Sequence, residues 1–140
     1  MKSLSPLLIA VLSFGVVCLD GCSRRPSDPR DALVGQYRLH WGSGSNCSGR
    51  GIEASTLELR ADGTSEQLDR FKDGSQFVTK GKWQYDGKDG VLLENLRATN
   101  TLEIDKNASA TNAGLIVQWS KPPNILLNPD DDCLFAKTQQ

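Results

Sequence analysis

Between residues 36 and 96 the chain alternates apolar and polar side chains in short runs, and Asp-Gly pairs punctuate them at Asp62-Gly63, Asp73-Gly74, Asp86-Gly87 and Asp89-Gly90. Asp-Gly accepts the positive φ angles that tight hairpins require. A period of two puts one face of a strand in a core and the other in water. Hairpins in series pair neighbouring strands antiparallel, and the resulting meander must close or stack to hide its edges. The pattern predicts an all-β fold, a single antiparallel up-and-down meander or barrel, with about eight strands at hairpin spacing.

Residues 36–41 place Tyr37, Leu39 and Trp41 on one face, and residues 56–60 repeat the alternation. Within 77–85, Phe77, Thr79, Trp83 and Tyr85 point one way and both lysines the other. Segments 91–96, 101–104, 115–119 and 125–127 are more continuously apolar, which fits strands buried more fully or strands whose phase a bulge shifts. Residues 109–114 and 128–132 read as loops, and no segment after residue 22 carries a helical period.

Residues 7–17 are almost uninterrupted apolar, preceded by Lys2 and followed by small residues. This is the layout of a secretory leader, and the run is shorter than the about 20 residues a membrane span needs. It ends at Leu19-Asp20-Gly21-Cys22, which resembles the lipobox of bacterial lipoproteins. The resemblance implies a helical signal peptide over 1–21, acylation of Cys22, and attachment to a membrane by chains that each contribute about 0.8 kcal/mol per buried CH₂. Ser23, rather than an aspartate, implies release to the outer membrane, facing the periplasm. Plain secretion and an uncleaved anchor are the alternatives. Residues 22–32, charged and proline-containing, read as a lipidated tether, and 33–140 as one domain large enough for a single modest core.

If Cys18 leaves with the leader and Cys22 carries lipid, Cys47 and Cys133 remain as an even pair. An oxidising compartment favours joining them in a disulfide; the alternative is two separate buried thiols.

Three further segments are 33–39 (LVGQYRL), 57–64 (LELRADGT) and 81–85 (GKWQY). In that order they resemble small bacterial lipocalin-like lipoproteins, which carry a Gly-x-Tyr opening, a Leu-x-Leu-x-x-Asp-Gly-Thr hairpin and a Gly-x-Trp strand. The resemblance covers about half of the domain and implies a β-meander barrel.

Sixteen basic and seventeen acidic residues leave a net charge of −1 without a clustered basic stretch, so nucleic acid is not an expected partner. His40 is the only histidine and is expected to face solvent. Glu53, Glu58, Glu66, Asp69, Glu94 and Glu103 offer carboxylates, yet no nucleophile, base and orienting group stand together, so the chain does not read as an enzyme. Asp130, Asp131 and Asp132 with Asn128 offer oxygen ligands but lack the spacing of a calcium loop; no metal and no cofactor are expected. The glycine-rich residues 42–51 follow a strand without leading into a helix, so they read as a loop stapled at Cys47 rather than a phosphate cradle. Trp41, Trp83 and Trp119 fall on apolar faces, as core, as the wall of a ligand cavity or as an exposed recognition patch. The resulting expectation is a lipid-anchored, non-catalytic binding domain for a small apolar ligand or an envelope partner. The alternative is an inhibitor or immunity-type lipoprotein that caps an envelope hydrolase through residues 42–51.

Overall fold

The computed structural model describes residues 28–42, 51–99, 102–128 and 132–139. The order of elements is α1 (Pro29–Leu33), β1 (Gly35–Trp41), β2 (Ile52–Leu59), β3 (Thr64–Phe71), β4 (Gln76–Tyr85), β5 (Gly90–Arg97), β6 (Ala110–Gln118), β7 (Asn124–Asn128) and β8 (Cys133–Lys137). Each strand pairs antiparallel with its sequence neighbours, and β8 pairs with β1 in the register Leu39↔Phe135, which closes an eight-stranded barrel. Closure removes every sheet edge. The expected signal helix, Cys22, Cys47, Asp130 and Asp131 lie outside the described residues.

Three of the four Asp-Gly pairs turn with a positive glycine φ, at Gly63, Gly74 and Gly87, whereas Gly90 has no positive φ and opens β5. Gly63 and Gly74 adopt φ of 86° and 85°. The preceding aspartates fold back on the chain: Asp62 Oδ1 accepts from Thr64 N (2.8 Å) and Oγ1 (2.7 Å), and Asp73 Oδ1 from Ser75 N (3.0 Å) and Oγ (2.6 Å). Hydrogen bonding to the ionised form holds Asp62 below the usual carboxylate range.

Several sequence expectations are corrected. β3 and β8 are strands that alternation did not reveal, and β2 starts at Ile52 rather than 56. β3 was hidden because its inward positions include Ser65, Gln67 and Asp69, polar side chains that are nevertheless buried. Residues 102–104 form no strand; Leu102, at φ 58°, belongs to the strap between β5 and β6, of which 98–99 and 102–109 are described. Ala110–Gly114, expected to be loop, is the first half of β6. β6 and β7 are not buried on both faces but alternate, because a single-walled barrel leaves one face of every strand outside. β5 does carry the bulge anticipated for such runs, between Leu93 and Leu96, with Asn95 at φ 60°. Gly81 faces that irregularity, and a Cβ there would stand 2.0 Å from the Glu94 carbonyl oxygen.

α1 lies within the stretch expected to be only tether, and five residues are too few to display a helical period. Its start is nonetheless encoded: Pro29 opens the helix and Asp28 Oδ1 accepts from Arg30 N at 2.9 Å. The helix buries Leu33 completely, and the Tyr37 hydroxyl donates to the Leu33 carbonyl at 2.7 Å. Trp83 Nε1 donates to the Arg60 carbonyl at 2.8 Å while the Arg30 guanidinium lies 5.0 Å from its ring centroid. The Gly-x-Tyr and Gly-x-Trp signatures therefore close one end of the barrel. Gly35 is favoured there because its φ of 147° lies in a region that L side chains rarely adopt, beside the Lys137 side chain whose Nζ donates to the Ala32 carbonyl.

Candidate functional site

The inside of the barrel is occupied by side chains. Trp83, Tyr37, Phe71 and Phe135 are the largest of a continuous buried cluster that also takes in Leu33, Leu57 and Leu127. A cleft beside Leu57, Gln67, Thr79 and Leu96, open toward Glu94 and Asn95, amounts to about 10 Å³, room for at most one water.

One part of this interior is polar. Ser55, Ser65, Gln67 and Asp69 project inward from β2 and β3 and are buried. Gln67 Nε2 donates to Asp69 Oδ1 (3.0 Å) and to the Arg97 carbonyl (3.3 Å), and its Oε1 accepts from Arg97 N (2.8 Å). Gln67 thus stands in for a missing strand partner at the end of β5. The Arg97 guanidinium donates to the Ala108 carbonyl at 2.7 Å and lies 4.5 Å from the Phe77 ring centroid, which ties both ends of the strap 98–109 together. Burial pushes the Asp69 carboxyl up to about 6, outweighing the opposing influence of Ser55, Gln67 and Arg97. Ser55 is near enough to act on that carboxyl, yet Ser55 Oγ and Asp69 Oδ2 complete no hydrogen bond of proper geometry.

The other residues singled out by sequence are scattered. Trp83 is core near α1, Trp41 is half-buried at the far end of β1, and Trp119 is outside, 44% exposed beyond the end of β6. Trp119 Nε1 donates to Asp89 Oδ1 at 3.0 Å and its ring meets Tyr85 edge-on at 5.8 Å. The expectation that Trp119 sits on an apolar face fails because it follows the last paired residue of its strand, so the three rings do not line one chamber. His40 is exposed on the outer face of β1. Glu58 and Glu66 stand opposite each other outside the barrel, bridged by Arg60 at 2.5 and 3.3 Å, an ion network rather than an acid–base pair. Cys133 is fully buried at the start of β8 and disulfide-bonded. Among the described residues no three His, Cys, Asp or Glu side chains are placed to hold a metal ion.

The feature with the character of a site is the outer wall of β5–β8. β6 and β7 contain no ionisable residue, and β8 contains only Lys137, which reaches back to the Ala32 carbonyl. Ile116 stands opposite Leu126, and Leu126 opposite Leu134, so an apolar row crosses three strands. Leu92 continues it from β5 across Gly114. Leu92 is 52% and Ile116 49% exposed. Where Gly114 lacks a side chain, a groove of about 280 Å³ opens between Leu92, Gln84 and Asn112, with Lys82 and Glu94 also lining it. These residues were visible in sequence as charge-free runs, but a lack of charge reads equally as burial on both faces. No family model, curated protein or solved structure matches this chain.

Proposed function

We propose that this chain is a lipid-anchored lipoprotein of the cell envelope whose barrel is a non-catalytic binding domain that works from its outer surface. The observation that carries this reading is that the interior is filled among the described residues: Trp83 is core, Trp41 is half-buried against the core, and Trp119 stands outside the barrel. A carrier of a small apolar molecule needs an enclosed space of some hundreds of Å³. The outer wall of β5–β8, free of charge across β6 and β7 and rimmed by Lys82 and Glu94, supplies the apolar, polar-rimmed character of a protein-binding patch instead. In the same reading Cys22 carries the acyl anchor, residues 23–28 join it to α1, the domain faces the periplasm from the outer membrane, and Cys47 is the partner of Cys133.

Gentle solubilisation of the native protein, followed by mass spectrometry of co-purifying lipids and proteins, tests the reading. A stoichiometric protein is the expected result, and if that protein is a hydrolase the capping role applies. A stoichiometric apolar small molecule would overturn surface binding. Separately, Cys22→Ser is expected to move the protein to the soluble fraction; unchanged membrane association would overturn the anchor.

A further inference from the structure

We infer that Asp69 is a proton-operated latch on the seam between β4 and β5. With the carboxyl neutral, the end of β5 and residues 102–109 stay docked on the barrel; with it ionised, they undock more often. The seam is short to begin with. β4 and β5 pair only from Trp83↔Leu93 to Tyr85↔Val91, so beyond the bulge Arg97 has no strand partner on that side among the described residues. Its N–H and carbonyl are met instead by the Gln67 side chain, at 2.8 and 3.3 Å. A side-chain amide matches a peptide unit in one orientation only, because a flip sets donor against donor. Asp69 Oδ1 fixes that orientation by accepting from Gln67 Nε2 at 3.0 Å, which makes Asp69 a positioning residue for the end of β5.

Both forms of the carboxyl can accept that bond, so burial is what separates them. Asp69 is wholly buried, and neither its Oδ2 nor Ser55 Oγ, opposite it on β2, completes a hydrogen bond. Arg97 Nε is also buried without a partner, while the same guanidinium donates to the Ala108 carbonyl and lies over Phe77, the residue opposite Asp69 on β4. Lys106 Nζ reaches Asp73 Oδ2 at 2.6 Å, in the turn that follows β3, and Ile104 belongs to the core. These contacts seat residues 102–109 against the end of the barrel that holds Asp69. An ionised carboxylate there is cut off from solvent and unpaired at Oδ2, and undocking of Arg97 with the strap hydrates it. Arg97 is the charged group that acts on Asp69. From β2 and β4 no charge faces it, since Glu53, Lys80 and Lys82 are exposed and Glu58 is tied to Arg60 outside. From the strap, Glu103 and Asp105 are the acids packed at this end.

Burial that raises the Asp69 carboxyl to about 6 from an ordinary 3.8 disfavours ionisation about 100-fold in the docked state. Linkage requires the same factor in docking: it is tightest below about pH 4 and weakens by up to about 100-fold as pH rises through about 6. The test is amide hydrogen exchange of the full chain from pH 4 to pH 8, corrected for intrinsic rates and repeated in dilute urea. The Arg97 amide, held by Gln67, reports undocking. The Trp83 amide, donating to the Gly63 carbonyl at the paired end of the seam, reports whole-molecule unfolding. Exchange at Arg97 is expected to be insensitive to dilute urea, as a local opening is, and to lose up to about 100-fold in protection between pH 4 and pH 8. Asp69→Asn is expected to keep the local opening and remove its pH dependence. Urea sensitivity at Arg97 equal to that at Trp83 would overturn local undocking, and a local opening that ignores pH would overturn the latch. Both comparisons need only the wild-type chain. A pH dependence that survives Asp69→Asn and vanishes in Glu103→Gln would overturn the assignment to Asp69.

Discussion

The two halves of the barrel wall solve the same problem with opposite chemistry. β2 and β3 bury Ser55, Ser65, Gln67 and Asp69 and present Glu58, Glu66 and Arg70 outside. β6–β8 bury Leu115, Val117, Ile125, Leu127 and Phe135 and present Ile116, Leu126 and Leu134 outside. β2 and β3 also bury Ile52, Leu57, Leu59 and Phe71, so apolar burial runs all round the barrel, and the halves differ in that β2–β3 add a buried hydrogen-bonded cluster whose net contribution is small. A half that buries polar groups and a half that exposes apolar ones both depart from economical folding, and such departures are expected where function resides.

Truncating the apolar half inside has the largest expected effect. Phe135 is fully buried opposite Leu39 and beside Ile125. Phe135→Ala removes the ring and leaves a cavity, so a loss of about 3 to 5 kcal/mol is expected in denaturant unfolding. A loss under about 1 kcal/mol would mean that the apolar packing around β8 contributes little to stability.

Removing charge from the polar half has the opposite sign. Asp69 is wholly buried and its carboxyl is raised to about 6, above the ordinary value of 3.8. Because the unfolded chain releases the proton first, the contribution of Asp69 to stability is fully present below about pH 4 and is lost as pH rises through about 6, by about 3 kcal/mol in all, while Asp62, Asp73 and Asp86, held below the ordinary range, act in the opposite sense at lower pH. Asp69→Asn keeps an acceptor for Gln67 Nε2 and removes the buried charge. It is expected to stabilise the protein at pH 8 by up to about 3 kcal/mol, much less at pH 4, and to flatten the profile between. Destabilisation at pH 8 would show that the carboxylate–Arg97 attraction outweighs its burial.

This contrast also explains what the sequence disclosed. Alternation and Asp-Gly turns identified the meander, and the inward residues of β1 and β4 were assigned correctly from Tyr37, Leu39, Phe77 and Trp83 because apolar side chains there face a core and charged ones face water. The same rule failed twice where the two halves break it. In β3 polar residues are inside, so Thr64–Phe71 carried no apolar period. In β6 and β7 apolar residues are outside, so 115–119 and 125–127 resembled strands buried on both faces. The candidate surface lies in the second failure: an exposed and a buried leucine look identical until a closed single wall assigns their sides. α1 escaped for a different reason, being shorter than two helical turns.

On the outer face of the charged half, effects should be small and salt-dependent. Glu66 meets Arg60 at 3.3 Å and Lys80 at 3.6 Å, with all three side chains partly in water. Glu66→Gln is expected to lower the melting temperature by only about a degree or two at low salt, and by less as ionic strength approaches about 1 M, where charges beyond roughly 3 Å are screened. A shift of the same size at all salt concentrations would assign the effect to packing or hydrogen bonding instead.

The outer face of the uncharged half should respond least in folding stability. Ile116 is 49% exposed and its side chain stands on Leu126 of the next strand, so truncation removes only part of one apolar contact. Threonine keeps the β-branch that suits a strand. Ile116→Thr is therefore expected to stay within about 0.5 kcal/mol of wild type when unfolding of the purified protein is followed. Exposed leucine and isoleucine have no folding role at that magnitude, and their clustering on a charge-free wall is then explained by what the wall touches. A loss above about 1.5 kcal/mol under those conditions would show instead that Ile116 braces the barrel, and would make the difference between the two halves a matter of stability alone.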